Sequence, residues 1–238
     1  MANVVALITG ASMGIGYNLA LKLAKLNYNL FLTYHTHETE IKKLKTTIES
    51  KYKVKCIIAK LDLKYEKSIL EVIEKYKKEY KTLDLLVNNA SISNDNLFLD
   101  KTKEEFMNVL EVNIVGTFLI TKYLISLMQD NSIIINMAST DGIDTYSIYN
   151  LDYAISKAGI IQLTKSMSLI FPNIKTIAIA PNWVNTESTM EINEEYLKQE
   201  LKRIGQEKLI KVDTVTDKII SIINNKNIKS GEVIKIYE

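Results

Sequence analysis

Thr9-Gly-Ala-Ser-Met-Gly-Ile-Gly16 decides the fold. A short apolar run, residues 4–8, precedes it, and a helical pattern follows it to residue 25. A strand, a glycine turn and a helix N-terminus in that order make a phosphate cradle, because the free N–H groups of the first helical turn face the anion. Gly10 lets the backbone turn sharply, Gly14 removes a side chain where a pyrophosphate would approach, and Gly16 lets the helix pack close to the strand. Ser12, Met13 and Ile15 fill the turn between the glycines and belong to the same expected cofactor site. The spacing is G-x-x-x-G-x-G rather than G-x-G-x-x-G.

Outward from this turn, strand-like and helix-like segments alternate to the end of the chain. Strands are expected at residues 4–9, 29–34, 54–60, 83–87, 132–137, 175–180 and 232–237. Helices are expected at 15–26, 38–51, 65–80, 102–128 and 152–170, with shorter ones at 194–203 and 213–224. The strands are near-continuous apolar runs, which suits a parallel sheet covered on both faces. Repeated βα units with right-handed crossovers give a doubly wound sheet. The expected fold is α/β: one Rossmann-like domain over residues 1–238, with a doubly wound, parallel, seven-stranded sheet and helices on both faces. No linker, internal repeat or low-complexity segment interrupts it.

Bulk properties exclude several function classes. The 238 residues suffice for one large α/β domain, and 47% hydrophobic and 24% charged residues are ordinary for a globular chain. A net charge of +2 argues against nucleic acid as the main partner. Cys56 is the only cysteine, so no disulfide framework exists within the chain. With His35 and His37 as the only histidines, a zinc site of the usual N/S kind has too few ligands, and no metal is expected. No signal peptide is read at the N-terminus, and no apolar run approaches the ~20 residues that span a bilayer. The expected compartment is a reducing cytoplasm, with no membrane partner.

In doubly wound sheets ligands bind past the carboxyl ends of the strands. After the second strand comes Tyr34-His35-Thr36-His37. A carboxylate there would hold the ribose 2′-OH of NAD and repel a 2′-phosphate; none occurs before Glu38, which tilts the reading to NADP(H) over NAD(H). No arginine or lysine lies in the turn either, and both histidines read equally as solvent-exposed turn residues. Asp62 and Leu63 follow the third strand; Asp62 alone could equally be a helix N-cap. Asn88-Asn89-Ala90-Ser91 follows the fourth, where amides can tie strand ends together and line an adenosine pocket.

Tyr153-Ala-Ile-Ser-Lys157 places a phenol and an amine at i and i+4 on one helix face. A nearby ammonium favours the phenolate and lowers a pKa of about 10. Ser139, just past the fifth strand in Met137-Ala-Ser-Thr-Asp-Gly142, and Asn113, a polar residue in the apolar stretch Val112-Asn-Ile-Val-Gly116, complete the constellation.

With these motifs together, the sequence resembles the short-chain dehydrogenase/reductase family over nearly the whole chain, and within it the bacterial 3-oxoacyl-acyl-carrier-protein reductases. TGASMGIG, NNA, the Asn113 segment, Ser139-x-x-Gly142, YAISK and PNWVNT stand in the family's order. The resemblance implies Tyr153 as general acid toward a carbonyl oxygen, or base in the alcohol direction. It implies that Lys157 binds the nicotinamide ribose and lowers the tyrosine pKa, and that Ser139 hydrogen-bonds the substrate oxygen. Asn113 is expected to hold a water linking Lys157 to solvent. Asp62 and Leu63 would lie against the adenine, and Asn89 and Ala90 beside the adenosine. Pro181, Val184 and Thr186 would frame the carboxamide.

Departures from the family pattern carry expectations of their own. NNAG is NNAS here, with Ser91, and PG is Pro181-Asn182, where asparagine is the least costly substitute if the backbone needs positive φ. The Gly142-to-Tyr153 turn is about one residue longer than in those reductases, so the substrate wall is expected to differ. The C-terminus stops at Ile236-Tyr-Glu238, short of the usual glycine-rich tail, which puts a tetramer in doubt. Residues 126–132 carry no lysine or arginine for an acidic carrier protein. Residues 187–208 are expected to cover the substrate, with Met190, Ile192, Tyr196 and Leu197 either forming an apolar lid or packing on the body. Trp183 falls either beside the nicotinamide or in plain packing. The leading expectation is an NADP(H)-dependent reductase of a small-molecule or acyl-thioester carbonyl, plausibly a 3-oxoacyl-acyl-carrier-protein reductase of fatty acid biosynthesis. The alternatives are an NAD(P)-dependent alcohol, sugar or steroid-type dehydrogenase, and a non-catalytic nucleotide-sensing or scaffold protein. A homo-oligomer, dimer or tetramer, is expected through helices 102–128 and 152–170.

Overall fold

The first strand, β1 (Val5–Ile8), is buried along its whole length and divides its side chains between two cores. Ala6 and Ile8 pack with Leu19 and Leu23 of α1 (Gly14–Lys25), on the side where α2 (Glu38–Tyr52) also lies. Val5 and Leu7 face the other way, onto Ile69, Val72 and Tyr76 of α3 (Glu66–Glu79). Successive side chains of a strand point to opposite faces, so a strand apolar at every position needs a layer on each side. This computed structural model describes residues 4–146 and 148–237. Residues 1–3, Ser147 and Glu238, the last of the expected C-terminal stretch, lie outside the described residues.

Around β1 the sheet adds β2 (Asn29–Tyr34), β3 (Cys56–Lys60), β4 (Leu83–Asn88), β5 (Met128–Met137), β6 (Lys175–Pro181) and β7 (Val233–Ile236). All neighbours are parallel, in the order β3-β2-β1-β4-β5-β6-β7. The expected seven-stranded parallel sheet is therefore present. Its order reverses between β1 and β4, which opens the crevice in which such sheets hold their ligands. Strand β5 begins earlier than expected. Met128 pairs with Leu83 ahead of a register shift, and Asn131 takes φ 69°.

The expected helix at 102–128 is broken into pieces with different hydrogen-bond periods. Helix α4 (Lys103–Leu110) starts on a capping box, with the Glu105 N–H donating to Thr102 Oγ1 (3.2 Å) and the Thr102 N–H to Glu105 Oε2 (2.8 Å). A π-helical turn, Glu111–Gly116, follows, and then α5 (Thr117–Leu124). The pieces run on without a gap, so Lys103–Leu127 is 25 residues long with a stretch of mean hydropathy 1.4. By length and composition this segment is long enough to cross a membrane, which corrects the expectation that no such run exists. In this fold Ile120 and Leu124 lie in the second core, and Gly116 meets Leu63 so closely that a Cβ would fall 2.6 Å from its carbonyl oxygen.

Helix α6 (Leu151–Ile170) starts at a buried ion pair: Lys101 Nζ lies 3.0 Å from Asp152 Oδ2, and the two side chains are 4% and 0% exposed. Lys101 Nζ also donates to Asn94 O (2.7 Å), so the loop after β4 is fastened to the residue beside Tyr153. The covering segment forms α7 (Glu187–Met190) and α8 (Glu194–Arg203), and α9 (Val212–Asn224) packs on the α1 side. Cys56 is buried, and burial pushes its thiol up to about 12, so it acts as a small apolar residue.

Candidate active site

At the turn after β1, Gly10 takes φ 64°, and a Cβ on Gly16 would lie 2.5 Å from Gly10 O. Gly10 thus makes the turn and Gly16 the close helix–strand contact, as expected. The neighbouring strand end completes the cradle. Asn89 Nδ2 donates to Thr9 O and Gly10 O (both 2.9 Å), while Thr9 Oγ1 accepts the N–H groups of Asn89 (2.9 Å) and Ala90 (3.0 Å). Met13, the N-cap of α1, offers no side-chain cap, and no acidic residue lies in the first helical turn. One contact escaped the sequence reading: the Gly14 N–H donates to Glu187 Oε2 of α7 (3.0 Å). The side chain of one covering helix thereby touches the cradle.

The turn after β2 is open to solvent beyond the buried Tyr34. His35 Nε2 lies 3.3 Å from Asp62 Oδ2, Thr36 Oγ1 lies 3.0 Å from His37 Nδ1, and Glu38 pairs with Lys42 at 2.6 Å. Asp62 is not the N-cap of α3; Tyr65 holds that position. The Asp62 carboxylate instead accepts the Lys64 N–H (3.0 Å) and faces His35. Leu63 lies beside it in the wall of the cleft.

A single cavity of about 1220 Å3 runs from this turn across the sheet ends to α8. That exceeds the ~300–1,000 Å3 of a pocket for one small ligand and leaves room for a dinucleotide and a substrate together. Gly10, Ser12, Met13, Gly14, Ile15, Asn89, Ala90, Pro181, Val184 and Thr186 line it, as do Ser139, Tyr153 and Lys157. Gly16 and Asn113 stand behind its wall.

Gly142 presses the turn after β5 onto α6, where a Cβ would meet Ala158 N at 2.5 Å, and this brings Ser139 to Tyr153. Lys157 Nζ donates to Met137 O (2.8 Å) and lies 5.2 Å from the Tyr153 ring centroid. Burial drives the Lys157 pKa down to about 7. The expected lowering of the phenol is not produced by the protein's own groups. Burial raises the Tyr153 pKa, the charge of Asp141 raises it further, and the Ser139 hydrogen bond opposes both.

Asn113 is fixed by its side-chain amide. Its Oδ1 accepts the Ile92 N–H (2.9 Å), and its Nδ2 donates to Ile92 O (2.9 Å) and Ser156 Oγ (2.9 Å). The side-chain amide fastens the loop after β4 to α6 from within a π-helical turn. A buried polar ladder unread in the sequence adds to it. Asn88 Nδ2 donates to Thr121 Oγ1 (3.0 Å) and Asn136 Oδ1 (2.8 Å), and Asn136 Nδ2 to Thr164 Oγ1 (2.9 Å).

Past β6, Asn182 does not take positive φ, so its position makes no demand for glycine. Its Oδ1 accepts from Thr140 Oγ1 (3.1 Å), tying β6 to the Ser139 turn. Thr186 Oγ1 caps α7 by accepting the Thr189 N–H (3.3 Å). Trp183 lines the cavity, with its backbone N–H donating to Gln206 Oε1 (3.1 Å). The covering segment is less apolar than expected: Met190 is exposed and Leu197 is buried in the body. Glu191, Ile192, Asn193 and Tyr196 line the cleft, and Tyr196 packs edge-on against Tyr149 at 4.9 Å between centroids. Asp95, Asp141 and Asn150, which the sequence reading did not single out, line the substrate end. Their signal was position alone, two residues after Ser139 for Asp141 and three before Tyr153 for Asn150.

A short chain dehydrogenase family model matches residues 4–197. This chain belongs to the short-chain dehydrogenase family. It is an oxidoreductase whose family binds NAD(P). It is 35% identical over 202 residues to a 3-oxoacyl-[acyl-carrier-protein] reductase FabG of Aquifex aeolicus, covering 83% of this chain and 80% of that one. To the FabG of Thermotoga maritima it is 31% identical over 237 residues, covering 98% and 95%. Among solved structures, a short chain dehydrogenase of Burkholderia cenocepacia in complex with NADP superposes with TM-score 0.90 at 21% identity, covering 97% of this chain and 95% of that one. At that identity the likeness concerns the fold.

Proposed function

We propose that this short-chain dehydrogenase, acting as one domain, interconverts a carbonyl and a secondary alcohol with NADP(H), Tyr153 exchanging the proton. The observation that carries the reading is one cavity with the glycine cradle at one end and Ser139, Tyr153 and Lys157 at the other. The cradle fits a dinucleotide: a Cβ on Gly14 would enter it 3.4 Å from Thr186 Cγ2, and the first turn of α1 carries no acid. Gly10 to Gly16 would hold the pyrophosphate, with Tyr34, His35 and Thr36 at the ribose and Asp62, Leu63, Asn89 and Ala90 at the adenine side. Pro181, Val184 and Thr186 would hold the carboxamide. The bound dinucleotide supplies the hydride. Ser139 Oγ holds the substrate oxygen, Tyr153 Oη delivers the proton to it, and Lys157 Nζ stands behind the phenol to hold the cofactor ribose. NADP(H) is favoured because the turn after β2 presents no free carboxylate: Glu38 faces Lys42 and Asp62 faces His35.

The names of the relatives make a 3-oxoacyl thioester the first substrate to test. The polar substrate end of the cleft favours a second reading, an alcohol or sugar dehydrogenase. The exposed apolar residues Met107, Val115, Phe118 and Ile155 on the 103–127 segment and α6 support pairing with a second copy through that face. Sedimentation showing only monomer at micromolar concentration would remove the pairing. The function is tested by following NADPH and NADH separately with acetoacetyl-CoA, in the wild type and Tyr153→Phe. Turnover with NADPH that the substitution abolishes supports the reading; cofactor binding without turnover of any carbonyl returns the non-catalytic alternative.

A further inference from the structure

The Tyr153 end of the cleft is lined by two acids, with Lys101 acting on Asp95 and Arg203 on Asp141 only from a distance. Asp141 lies two residues beyond Ser139, and its charge reaches the Tyr153 phenol. Its Oδ1 accepts from Thr145 Oγ1 (2.8 Å), which holds the carboxylate in one orientation. Asp95, on the loop after β4, lines the same cavity and acts electrostatically on both Asp141 and Tyr153. The nearby bases are already engaged: Lys101 with Asp152 (3.0 Å) and Arg203 with Glu200 (2.7 Å). Among the described residues neither Asp95 nor Asp141 forms an ion pair. A buried amide lies in the same wall. Asn150, 6% exposed, lines the cavity, and its Oδ1 has no hydrogen-bond partner.

We propose that Asp141, with Asp95 beside it, selects a substrate that carries a free hydroxyl next to the reacting carbon. The class is a small hydroxy ketone in the reducing direction and a vicinal diol or polyol in the oxidising one. This rests on the oxidoreductase reading above and narrows its second substrate class. A hydroxyl donates its one proton to a carboxylate, which an acyl chain cannot do. A saturated acyl chain offers no donor, so seating it would strip water from two carboxylates without replacement. Reduction adds hydride to the carbonyl carbon and the Tyr153 proton to its oxygen, giving the diol. The neighbouring hydroxyl keeps its proton and donates it to Asp141 throughout.

The test compares hydroxyacetone, acetone, aminoacetone and acetoacetyl-CoA as substrates with NADPH, and 1,2-propanediol with NADP+. A site built around a hydroxyl rejects the analogue that lacks it, so kcat/KM for hydroxyacetone is expected to exceed that for acetone by about a hundredfold or more. Asp141→Asn is expected to cut that ratio at least about tenfold. Four groups act on the phenol: Asp141, Asp95, Ser139 and, behind it, Lys157. Removing the Asp141 charge is therefore expected to move the pH–rate limb of diol oxidation to lower pH, which a merely structural role would not do. Binding gives a readout apart from turnover: 1,2-propanediol is expected to change Trp183 emission at lower concentration in the wild type than in Asp141→Asn. Acetoacetyl-CoA or aminoacetone turned over with hydroxyacetone no better than acetone would overturn this proposal and leave the oxidoreductase reading intact. No turnover of any carbonyl, with Tyr153→Phe indistinguishable from wild type, would overturn both.

Discussion

Replacing Glu187 should tighten cofactor binding. Its Oε2 accepts the Gly14 N–H at 3.0 Å, at the mouth of the α1 N-terminus where a pyrophosphate would take the same donor. The carboxylate and the pyrophosphate are both anions directed at one positive helix end, so one must leave for the other to bind. The contact is exposed, which limits its strength to about 0.3–1 kcal/mol, the range for a charge at a helix terminus. Glu187→Ala is thus expected to lower the Kd for NADPH by about two- to fivefold at low salt, 1.4 kcal/mol being a tenfold change. Glu187→Gln keeps an acceptor and loses the charge, so it should fall between. The assay is titration of Trp183 emission, which comes from the only tryptophan, set in the cavity wall. The gain should shrink at 0.5 M salt, because an exposed charge is screened. An unchanged or weaker Kd in Glu187→Ala would refute the argument, since it would mean that the carboxylate does not compete for the cradle.

Other substitutions probe the scaffold. Lys101→Met leaves Asp152 buried without its cation and should cost about 3–5 kcal/mol in urea unfolding; adding Asp152→Leu should recover much of it, and additive losses would contradict the pairing. Gly16→Ala forces a methyl to within 2.5 Å of Gly10 O and should lower stability by about 1–3 kcal/mol while weakening cofactor binding, so a neutral result would dispute the close approach. Unfolded Lys157 holds its proton to 10.5 and the folded one only to about 7. Between those values the unfolded chain binds more protons, so stability should rise with pH across that window, and Lys157→Met should flatten the rise measured by urea melts at pH 7 and 9. Tyr153→Phe should lower kcat by about a hundredfold or more with cofactor Kd unchanged, as expected when only proton transfer is removed.

Much of this protein was legible in its sequence, because local rules acted there without competition. Alternation and apolar runs gave seven strands, and the glycines of residues 10–16 announced a turn whose backbone has few alternatives. The amides after the fourth strand were readable as ties between strand ends. The failures came where a residue's partner lies far away in sequence. Asn113 shows in the sequence only as a polar residue in an apolar stretch, and the partners of its amide, Ile92 and Ser156, the latter 43 residues on, come from other segments. The phenol of Tyr153 was expected to be lowered by Lys157 at i+4. The surrounding core instead desolvates both groups, and Asp141 arrives from another element. Met190 and Leu197 look alike in a hydrophobicity pattern, and only packing sends one to solvent and the other to the body. The sequence by itself therefore determined the fold and the identity of the reacting side chains, since both follow from short-range periodicity and residue chemistry. The tertiary structure alone decided what those side chains are charged to do and what the cleft would accept, because burial and long-range electrostatics depend on which distant segments close around the site.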